Sequence, residues 1–314
     1  MTQTVLITGG AGFIGSHLAD AFIARGDRVL IIDDMSGGKR ENLPEKAEFH
    51  EIDIRSPEAA EIVRTEGIEL IVHQAGQTEV RKSVADPVND ASANIRGTIN
   101  LLEAARESKV QQILFASTGG AIYGEQDHFP AEEGHPTRPV CPYGVSKRAV
   151  EHYLYYYHVA YGLNATCLRY ANVYGERQNP HGEAGVVAIF LKLMLAGKTP
   201  RINGDGLQTR DYVYVGDVVR ANLAAAGRTG FHVYNVGTGI ETSVVEIFQG
   251  LRDALGLQVE ANHGPGMPGE QRRSSIDSAR LQAELGVAPP LSLEEGFAKT
   301  AAWFREQSEK EKAA

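Results

Sequence analysis

Short apolar runs alternate with amphipathic stretches along roughly the first half of the chain. Six of these runs predict strands, over residues 4–8, 28–33, 47–53, 68–75, 110–117 and 164–170. Helices are predicted over residues 13–25, from about residue 56, over 87–108 and over 143–161. The strand segments show little polar alternation, which is typical of strands buried on both faces of a parallel sheet. The order strand, helix, strand predicts an α/β protein with a doubly wound, mostly parallel sheet of the Rossmann type.

The pattern changes after about Tyr174. The segments that follow are a polar loop over 176–185, an apolar helix over 186–196, a mixed stretch over 201–218, a strand over 231–237 and a proline- and glycine-rich stretch over 262–270. We therefore expect two domains. The first spans residues 1–175, with a return of the chain to it at about 212–239, and residues 176–314 form a smaller, mixed α/β domain.

Composition and charge exclude several classes of protein. The 314 residues carry a net charge of −9, so no overall field would attract nucleic acid or an anionic membrane surface. No apolar run approaches the ~20 residues of a membrane span. The two cysteines form no disulfide framework, which favours a reducing compartment, and the ten histidines show no metal-ligand spacing. We expect a cytoplasmic protein without a metal, and neither nucleic acid nor membrane as a partner.

A glycine-rich turn follows the first predicted strand. In TGGAGFIG (8–15), Gly9, Gly12 and Gly15 recur at three-residue spacing between a strand and a helix. Glycines there allow a tight turn, close approach of the backbone to a pyrophosphate and close packing of helix on strand. Asp33 ends the second strand, where a carboxylate would bind the ribose hydroxyls of NAD and repel the 2′-phosphate of NADP. This context predicts an NAD site rather than a purely structural turn.

A tyrosine and a lysine share one face of a long predicted helix. Tyr143 and Lys147 are four residues apart, which brings their side chains together on a helix. A free phenol has a pKa near ~10, and a neighbouring ammonium group would lower it toward the range of a useful base. Such a pair also occurs by chance, so a hydroxyl partner is needed before it indicates an active site.

The end of the fifth predicted strand supplies that hydroxyl. In FASTGGAIYG (115–124), Thr118 follows an apolar run at the edge where open α/β sheets bind ligands. A hydroxyl held there would hydrogen-bond a substrate oxygen undergoing oxidation. Gly119 and Gly120 follow, and we expect both to leave room for the substrate.

Ordered motifs along nearly the whole chain resemble those of the extended short-chain dehydrogenases/reductases, most closely the nucleotide-sugar epimerases of the UDP-glucose 4-epimerase type. The motifs that carry the resemblance are TGGAGFIGSH (8–17), IIDDMSGGKREN (31–42), DIRS (53–56), VHQAG (72–76), NIRGTINLLEAA (94–105), STGGAIYGE (117–125), PYGVSK (142–147), RYANVYG (169–175), GDGLQTRDYVYVGDV (204–218) and PGEQRRSSID (268–277). The resemblance implies an NAD-dependent isomerase that acts on a UDP-hexose such as UDP-glucose or UDP-galactose.

The resemblance also implies a role for each residue that matches a family motif. The first domain would bind NAD through Gly9, Gly12, Phe13, Ile14, Gly15, Asp33, Lys39, Asp53, Ile54, Ala75, Gly76, Asn94, Tyr143 and Lys147. The second domain would complete a nucleotide-sugar site whose contacts are Thr118, Asn172, Arg210, Tyr212, Arg272 and Ser274. The catalytic residues would be Tyr143, Lys147 and Thr118.

In such an enzyme Tyr143 removes the proton from O4 of the sugar while C4 gives hydride to NAD⁺. The 4-keto sugar turns over in the pocket and hydride returns to its other face, so NAD is regenerated in each cycle. The family also forms homodimers, in which the helices predicted over 87–108 and 143–161 build a four-helix bundle with their partners. The alternative is that these two helices pack only on their own sheet.

Two departures from the family pattern concern the segment after the fifth strand. It has one residue more than the usual pattern, so counting from Tyr143 selects Thr118 as the catalytic hydroxyl, whereas counting from the strand selects Ser117. Gly119 and Gly120 stand where 4,6-dehydratases carry an Asp-Glu pair for elimination. These glycines argue against a dehydratase.

A third departure concerns substrate binding. Met267 replaces an arginine that many of these epimerases use, so the diphosphate would be bound by Arg210 with Arg272 or Arg273. Ser274 stands where a bulky tyrosine blocks N-acetylated sugars, and its small size is expected to admit UDP-N-acetylglucosamine and UDP-N-acetylgalactosamine.

Two other classes of function use the same scaffold. One is a UDP-glucuronate 4-epimerase or decarboxylase, or another NAD-dependent nucleotide-sugar oxidoreductase. The other is a dinucleotide-binding regulator without catalysis, which would have no need of Tyr143, Lys147 and Thr118 together.

Overall fold

A computed structural model describes residues 2–108, 110–180, 185–266 and 271–313 of the chain. Its strands are β1 (Thr4–Thr8), β2 (Arg28–Asp33), β3 (Glu48–Glu51), β4 (Leu70–His73), β5 (Gln112–Thr118), β6 (Asn164–Tyr170), β7 (Asn172–Tyr174), β8 (Arg201–Asn203), β9 (Thr209–Arg210), β10 (Tyr212–Tyr214), β11 (Phe231–Val236), β12 (Thr242–Ser243) and β13 (Asn262–Gly264). Its helices are α1 (Phe13–Arg25), α2 (Pro57–Thr65), α3 (Val80–Ala85), α4 (Pro87–Ala91), α5 (Gly97–Glu107), α6 (Pro142–Tyr161), α7 (Val186–Leu195), α8 (Val215–Ala225), α9 (Val244–Leu255), α10 (Ala279–Leu285) and α11 (Leu293–Ala313). A 3₁₀ turn covers Arg40–Asn42, and a π-helical turn covers Ser92–Arg96.

Seven parallel strands form the central sheet, in the order β11–β6–β5–β4–β1–β2–β3. The predicted α/β fold with a doubly wound parallel sheet is confirmed. The chain first builds the sheet outward from β1 toward β3, then starts again at β4 on the other side of β1. This change of direction leaves a crevice at the carboxyl ends of β1 and β4, which is where sheets of this kind bind ligands.

Apolar side chains cover both faces of this sheet. One face is buried by α1, α8 and α10, and the other by α2, α5 and α6. A third apolar cluster joins α7, α9 and α11 beside the sheet. The chain returns to the sheet between these helices, because β11 pairs with β6 and α8 packs against α1. None of the described helices combines the length and apolar character needed to cross a bilayer.

The helix predicted over 87–108 is continuous but contains a π-helical turn. It consists of α4, the π-helical turn and α5, and the hydroxyl of Thr98 donates to the carbonyl oxygen of Asn94 (2.6 Å). A π-helical turn widens the helix by one residue and is frequent at functional sites. Apolar periodicity does not reveal it, because the buried face continues on both sides of the turn.

Candidate active site

The turn after β1 runs too close to its neighbours for any residue except glycine. Gly9 has a φ of +70°, and a Cβ atom on it would lie 2.8 Å from the backbone nitrogen of Ala75. A Cβ atom on Gly15 would overlap the carbonyl oxygen of Gly9 and lie 2.8 Å from its carbonyl carbon. Backbone atoms cannot swing aside as a flexible side chain can, so both glycines are required for β1 and α1 to pack as they do.

Helix α1 begins directly after this turn. Gly12 precedes it and offers no side-chain cap to the N–H groups of its first turn, which starts with Phe13 and Ile14. Such N–H groups, together with the helix dipole, bind anions. The glycine turn and the open helix end therefore fit the pyrophosphate of a dinucleotide.

Asp33 lies at the end of β2 beside the glycine turn. Its carboxylate oxygens accept hydrogen bonds from the N–H groups of Ala11 (3.0 Å) and Met35 (2.9 Å). Burial raises the pKa of this carboxyl, and the two N–H donors oppose that effect. The acid predicted to bind the adenosine ribose thus also fixes the loop predicted to bind the pyrophosphate.

Three further residues predicted to bind the adenosine half of NAD have partners within the protein. The ammonium of Lys39 pairs with Glu41 (3.0 Å), and the carboxylate of Asp53 pairs with Arg55 (2.5 Å). Ile54 is buried against the start of α5. A bound adenosine would therefore lie beside two existing surface ion pairs or displace them, at a cost of at most about 1 kcal/mol each.

Helix α6 carries Tyr143 and Lys147 on one face. It begins at Pro142, whose fixed φ suits the first turn of a helix, so Tyr143 stands at its amino end. The side chain of Thr118 hydrogen-bonds to the phenol of Tyr143. Lys147 Nζ lies 5.8 Å from the centre of the Tyr143 ring and donates to the carbonyl oxygen of Ala116 (2.8 Å). The end of β5 and the start of α6 thus bring together all three residues predicted to be catalytic.

Burial shifts the pKa values of both ionisable groups. It raises the pKa of Tyr143 to about 12, although the hydrogen bond to Thr118 lowers it. Burial also lowers the pKa of Lys147 to about 8, against the opposing charge of Asp90. At neutral pH the phenol is therefore protonated and the ammonium charged. A further cation beside Tyr143, such as the nicotinamide ring of NAD⁺, would lower the phenol pKa and make it a base.

Ser117 and Thr118 point to opposite faces of β5, because successive side chains on a strand alternate between its faces. Its Oγ donates to Glu151 Oε1 (2.7 Å), and Glu151 also pairs with Arg169 (2.7 Å). All three side chains are buried. The hydroxyl beside Tyr143 is that of Thr118.

The two glycines after Thr118 differ in surroundings. A Cβ atom on Gly119 would overlap Ile276 Cδ1, so this position makes room for a core side chain. A Cβ atom on Gly120 would lie 3.3 Å from Asn172 Oδ1 and 4.0 Å from Thr118 Oγ1. Of these two glycines only Gly120 therefore borders the hydroxyl predicted to be catalytic, and the expectation that both make room for a substrate is wrong for Gly119, whose space Ile276 fills.

Gly76 allows an amide and an ammonium group to converge. A Cβ atom on it would lie 2.5 Å from Asn94 Oδ1 and 3.6 Å from Lys147 Nζ. Asn94 Oδ1 is buried and has no hydrogen-bond partner among the described residues. A buried acceptor of this kind is normally satisfied by a ligand or water. An acceptor beside a donor ammonium fits a sugar hydroxyl, such as those of the nicotinamide ribose.

The residues predicted to bind the nucleotide sugar come from several short strands. Asn172 on β7 is in register with Tyr212 on the parallel strand β10, and Tyr212 is buried. Arg210, on β9, donates to the carbonyl oxygen of Thr209 (2.7 Å). Met267, where the family pattern is broken, lies outside the described residues. Asn172 lies on the same side of Gly120 as Thr118, because a Cβ atom on Gly120 would lie near the side-chain oxygens of both.

The remaining candidates for the nucleotide-sugar site lie at residues 272–274. Arg272 pairs with Asp205 (2.8 Å), and Arg273 pairs with Glu241 (2.5 Å). Either arginine would have to leave its carboxylate to bind a diphosphate. Ser274 is only 3% exposed, so its small side chain lies within a packed region.

Two buried polar residues near the site are not predicted as site residues from the sequence. His73, interpreted there as a packing residue, links Thr8 (2.7 Å) to Thr98 (2.8 Å) through its two ring nitrogens. Burial lowers its pKa to about 3, so the ring is neutral. Asp90 is the second of these residues and accepts a hydrogen bond from Asn94. The two residues are four positions apart on a predicted helix, and this spacing is the sequence signal that could have identified Asp90.

Comparison with known proteins gives a consistent result over the whole chain. The NAD dependent epimerase/dehydratase family matches residues 5–237. A UDP-glucose 4-epimerase of Mycolicibacterium smegmatis is 44% identical over 310 residues, which cover 97% of this chain and 99% of that protein. A crystal structure of the Thermotoga maritima UDP-glucose 4-epimerase with UDP-glucose has a TM-score of 0.94 at 45% identity, covering 97% and 99% of the two chains. The Thermus thermophilus UDP-glucose 4-epimerase in complex with NAD has a TM-score of 0.91 at 44% identity, covering 96% and 99%.

Proposed function

Because the chain belongs to the NAD-dependent epimerase/dehydratase family, we propose that it inverts C4 of a UDP-hexose with tightly bound NAD. The family predicted from the sequence motifs is confirmed by the full-length similarity to UDP-glucose 4-epimerases. The observation that carries the proposed chemistry is the convergence of Thr118, Tyr143 and Lys147 at the carboxyl edge of the sheet. The substrates are UDP-glucose and UDP-galactose, with their N-acetyl forms as further candidates.

The position of each side chain in the site suggests its role in the reaction. Tyr143 takes the proton from the C4 hydroxyl and returns it to the keto oxygen, and Thr118 orients that oxygen and the phenol. Lys147 stays cationic, which favours the phenolate over the phenol. Bound NAD⁺ supplies an acceptor for hydride from C4 and a donor of hydride to the opposite face. Asn172 and Arg210 bind the diphosphate side of the substrate.

The test is to incubate the purified protein, without added NAD, with UDP-galactose and follow the sugar by proton NMR. We expect the 4-epimer to accumulate until equilibrium, because no net redox change occurs. A parallel incubation with UDP-N-acetylgalactosamine measures whether the small Ser274 admits an N-acetyl group. The variant Tyr143→Phe, which lacks only the phenol oxygen, is the matched control and should be inactive while retaining NAD.

Other outcomes would contradict the proposal. Continuous release of NADH, seen by its near-ultraviolet absorbance with another nucleotide sugar, would indicate a net oxidoreductase or a decarboxylase. No conversion by a protein that still contains NAD would favour the dinucleotide-binding regulator.

We also propose a homodimer, which would be located in the cytoplasm. An apolar surface of α3, α4 and α6 carries Val84 (62% exposed), Val88 (78%), Tyr156 and Val159. These helices lie side by side, and a second copy of the chain would cover the surface. Native mass spectrometry should detect a dimer that Val88→Lys converts to a monomer. The control Ile240→Lys, at another exposed apolar position (61%) outside these helices, should remain dimeric.

A further inference from the structure

Asp90 is a buried carboxylate that no part of the proposed chemistry uses. It is 1% exposed, at the end of α4. Its Oδ1 accepts hydrogen bonds from Gln77 Nε2 (2.9 Å) and Asn94 Nδ2 (3.1 Å), and its Oδ2 accepts one from Ser146 Oγ (2.6 Å). Two amide N–H groups and one hydroxyl thus satisfy both oxygens of the carboxylate within the protein. A buried charge of this kind is costly, so a role for it should be sought.

The three donors come from three different segments that surround Lys147. Gln77 lies in the loop after β4, Asn94 in the π-helical turn, and Ser146 immediately before Lys147 on α6. The amide nitrogen of Asn94 donates to Asp90 and also to the carbonyl oxygen of Gln77 (3.0 Å), and these two bonds turn Asn94 Oδ1 toward the point where Lys147 Nζ also lies. The bond to Ser146 fixes how α6 is rotated against α4.

We infer that Asp90 is a positioning residue, which holds the Asn94 amide and helix α6 so that Asn94 Oδ1 and Lys147 Nζ face the same ligand hydroxyls. This inference rests on the proposed function, since the ligand it serves is the nicotinamide ribose of NAD. Asp90 touches neither Tyr143 nor Lys147 through a hydrogen bond given by the structure. It acts through Asn94 and Ser146.

The carboxylate also acts through its charge. The ionisable groups around it are Lys147, Tyr143 and Cys141, and His73 lies beyond Lys147 as a neutral ring. Burial lowers the pKa of Lys147, and Asp90 opposes that effect; burial raises the pKa of Tyr143, and Asp90 adds to it. Removing the charge would therefore lower both pKa values. Because catalysis needs Tyr143 to lose a proton and Lys147 to keep one, both limbs of the pH–rate profile would move to lower pH.

The variant Asp90→Asn, studied as the holoenzyme, tests both effects. We expect kcat per bound NAD to fall roughly tenfold with UDP-galactose while KM stays within about threefold, which is the pattern of a misplaced catalytic group. Both limbs of the profile should move to lower pH. The fraction of subunits that retain NAD through dialysis should also fall, and this readout does not depend on activity.

Two further variants separate the positioning effect of Asp90 from the effect of its charge. Ser146→Ala breaks the bond to α6 but keeps the carboxylate, so we expect a lower kcat and weaker NAD retention with both limbs unmoved. Asp86→Asn removes one charge from an exposed acid four residues before Asp90 and retains a capping side chain, so it should match the wild type.

Wild-type kcat, pH profile and NAD retention in both Asp90→Asn and Ser146→Ala would overturn the inference. Ser146→Ala keeps it testable if Asp90→Asn does not fold. A wild-type protein that fails to epimerise UDP-galactose would instead overturn the proposed function, while NAD retention by the variants would still test the positioning of Asn94 and Lys147.

Discussion

Replacing Thr118 and Ser117 one at a time separates the two hydroxyl groups that the sequence left as alternatives. Thr118→Val keeps the branched shape and the strand preference of threonine and removes only the hydroxyl that bonds Tyr143. Ser117→Ala removes the hydroxyl that donates to Glu151 on the opposite face of β5. The two variants alter neighbouring residues, and each removes one hydroxyl oxygen. Each variant is therefore the control for the other.

The expected magnitudes follow from what each hydroxyl bonds. A hydrogen bond to a group that becomes charged contributes about 1.5–3 kcal/mol, so Thr118→Val should lower kcat/KM by about 10- to 150-fold. The bond to Thr118 also lowers the pKa of Tyr143, so its loss should move the acid limb of the profile to higher pH. Ser117→Ala leaves Glu151 with its two arginines, Arg148 and Arg169. It should cost about 1–3 kcal/mol of unfolding free energy and change kcat/KM less than about threefold.

The assay is UDP-galactose epimerisation per bound NAD across pH, together with denaturant unfolding of both variants. A large loss of activity in Ser117→Ala with little change in Thr118→Val would refute the assignment of Thr118. Equal losses in both variants would refute the argument that strand alternation separates the two hydroxyls.

Two other predictions concern the glycine turn and the buried ion pair. Gly15→Ala should abolish NAD retention, because its Cβ would overlap a backbone oxygen, whereas Gly37→Ala, with open space around its Cβ, should retain NAD as measured by release from denatured protein. Normal NAD content in Gly15→Ala would contradict the turn geometry. Glu151→Gln should lower the free energy of unfolding by about 3–5 kcal/mol, since it leaves Arg169 buried without a counter-charge, whereas Glu306→Gln, in an exposed pair with Lys310, should unfold like the wild type. The charge and hydrogen bonds of Arg169 keep the pKa of Glu151 below its usual range despite burial. The stabilisation from this pair should therefore be present at neutral pH and be lost as pH falls through that lowered pKa. An unchanged denaturation midpoint of Glu151→Gln at neutral pH would refute the argument.

Local patterns were enough to predict the sheet, the glycine turn and the tyrosine–lysine pair. Strands and helices have fixed periods, so apolar runs indicate them without knowledge of the rest of the chain. Gly9, Gly12 and Gly15 form a short-range feature whose geometry depends on one strand and one helix. Tyr143 and Lys147 share a helix, and four residues of spacing suffice to place them together.

The choice between Ser117 and Thr118 required the tertiary structure. A shift of one residue on a strand turns a side chain to the opposite face, and the sequence does not say that Ser117 is the residue turned toward α6, where Glu151 accepts its hydroxyl. The role of Gly119 was misinterpreted because it too depends on the tertiary structure. The side chain that fills its space belongs to Ile276, more than a hundred residues away, and no local pattern connects the two.

The environment of Lys147 was also decided only by the fold. Asp90, Gln77 and Ser146 are separated along the chain, and their hydrogen bonds form only when the loop after β4, α4 and α6 pack together. Burial then shifts the pKa values of Tyr143 and Lys147 in opposite directions, because removing water penalises the charged form of each. The sequence by itself determined which chemical groups this protein has at the sheet edge, and the tertiary structure decided which face each one points to and in which direction burial shifts its pKa.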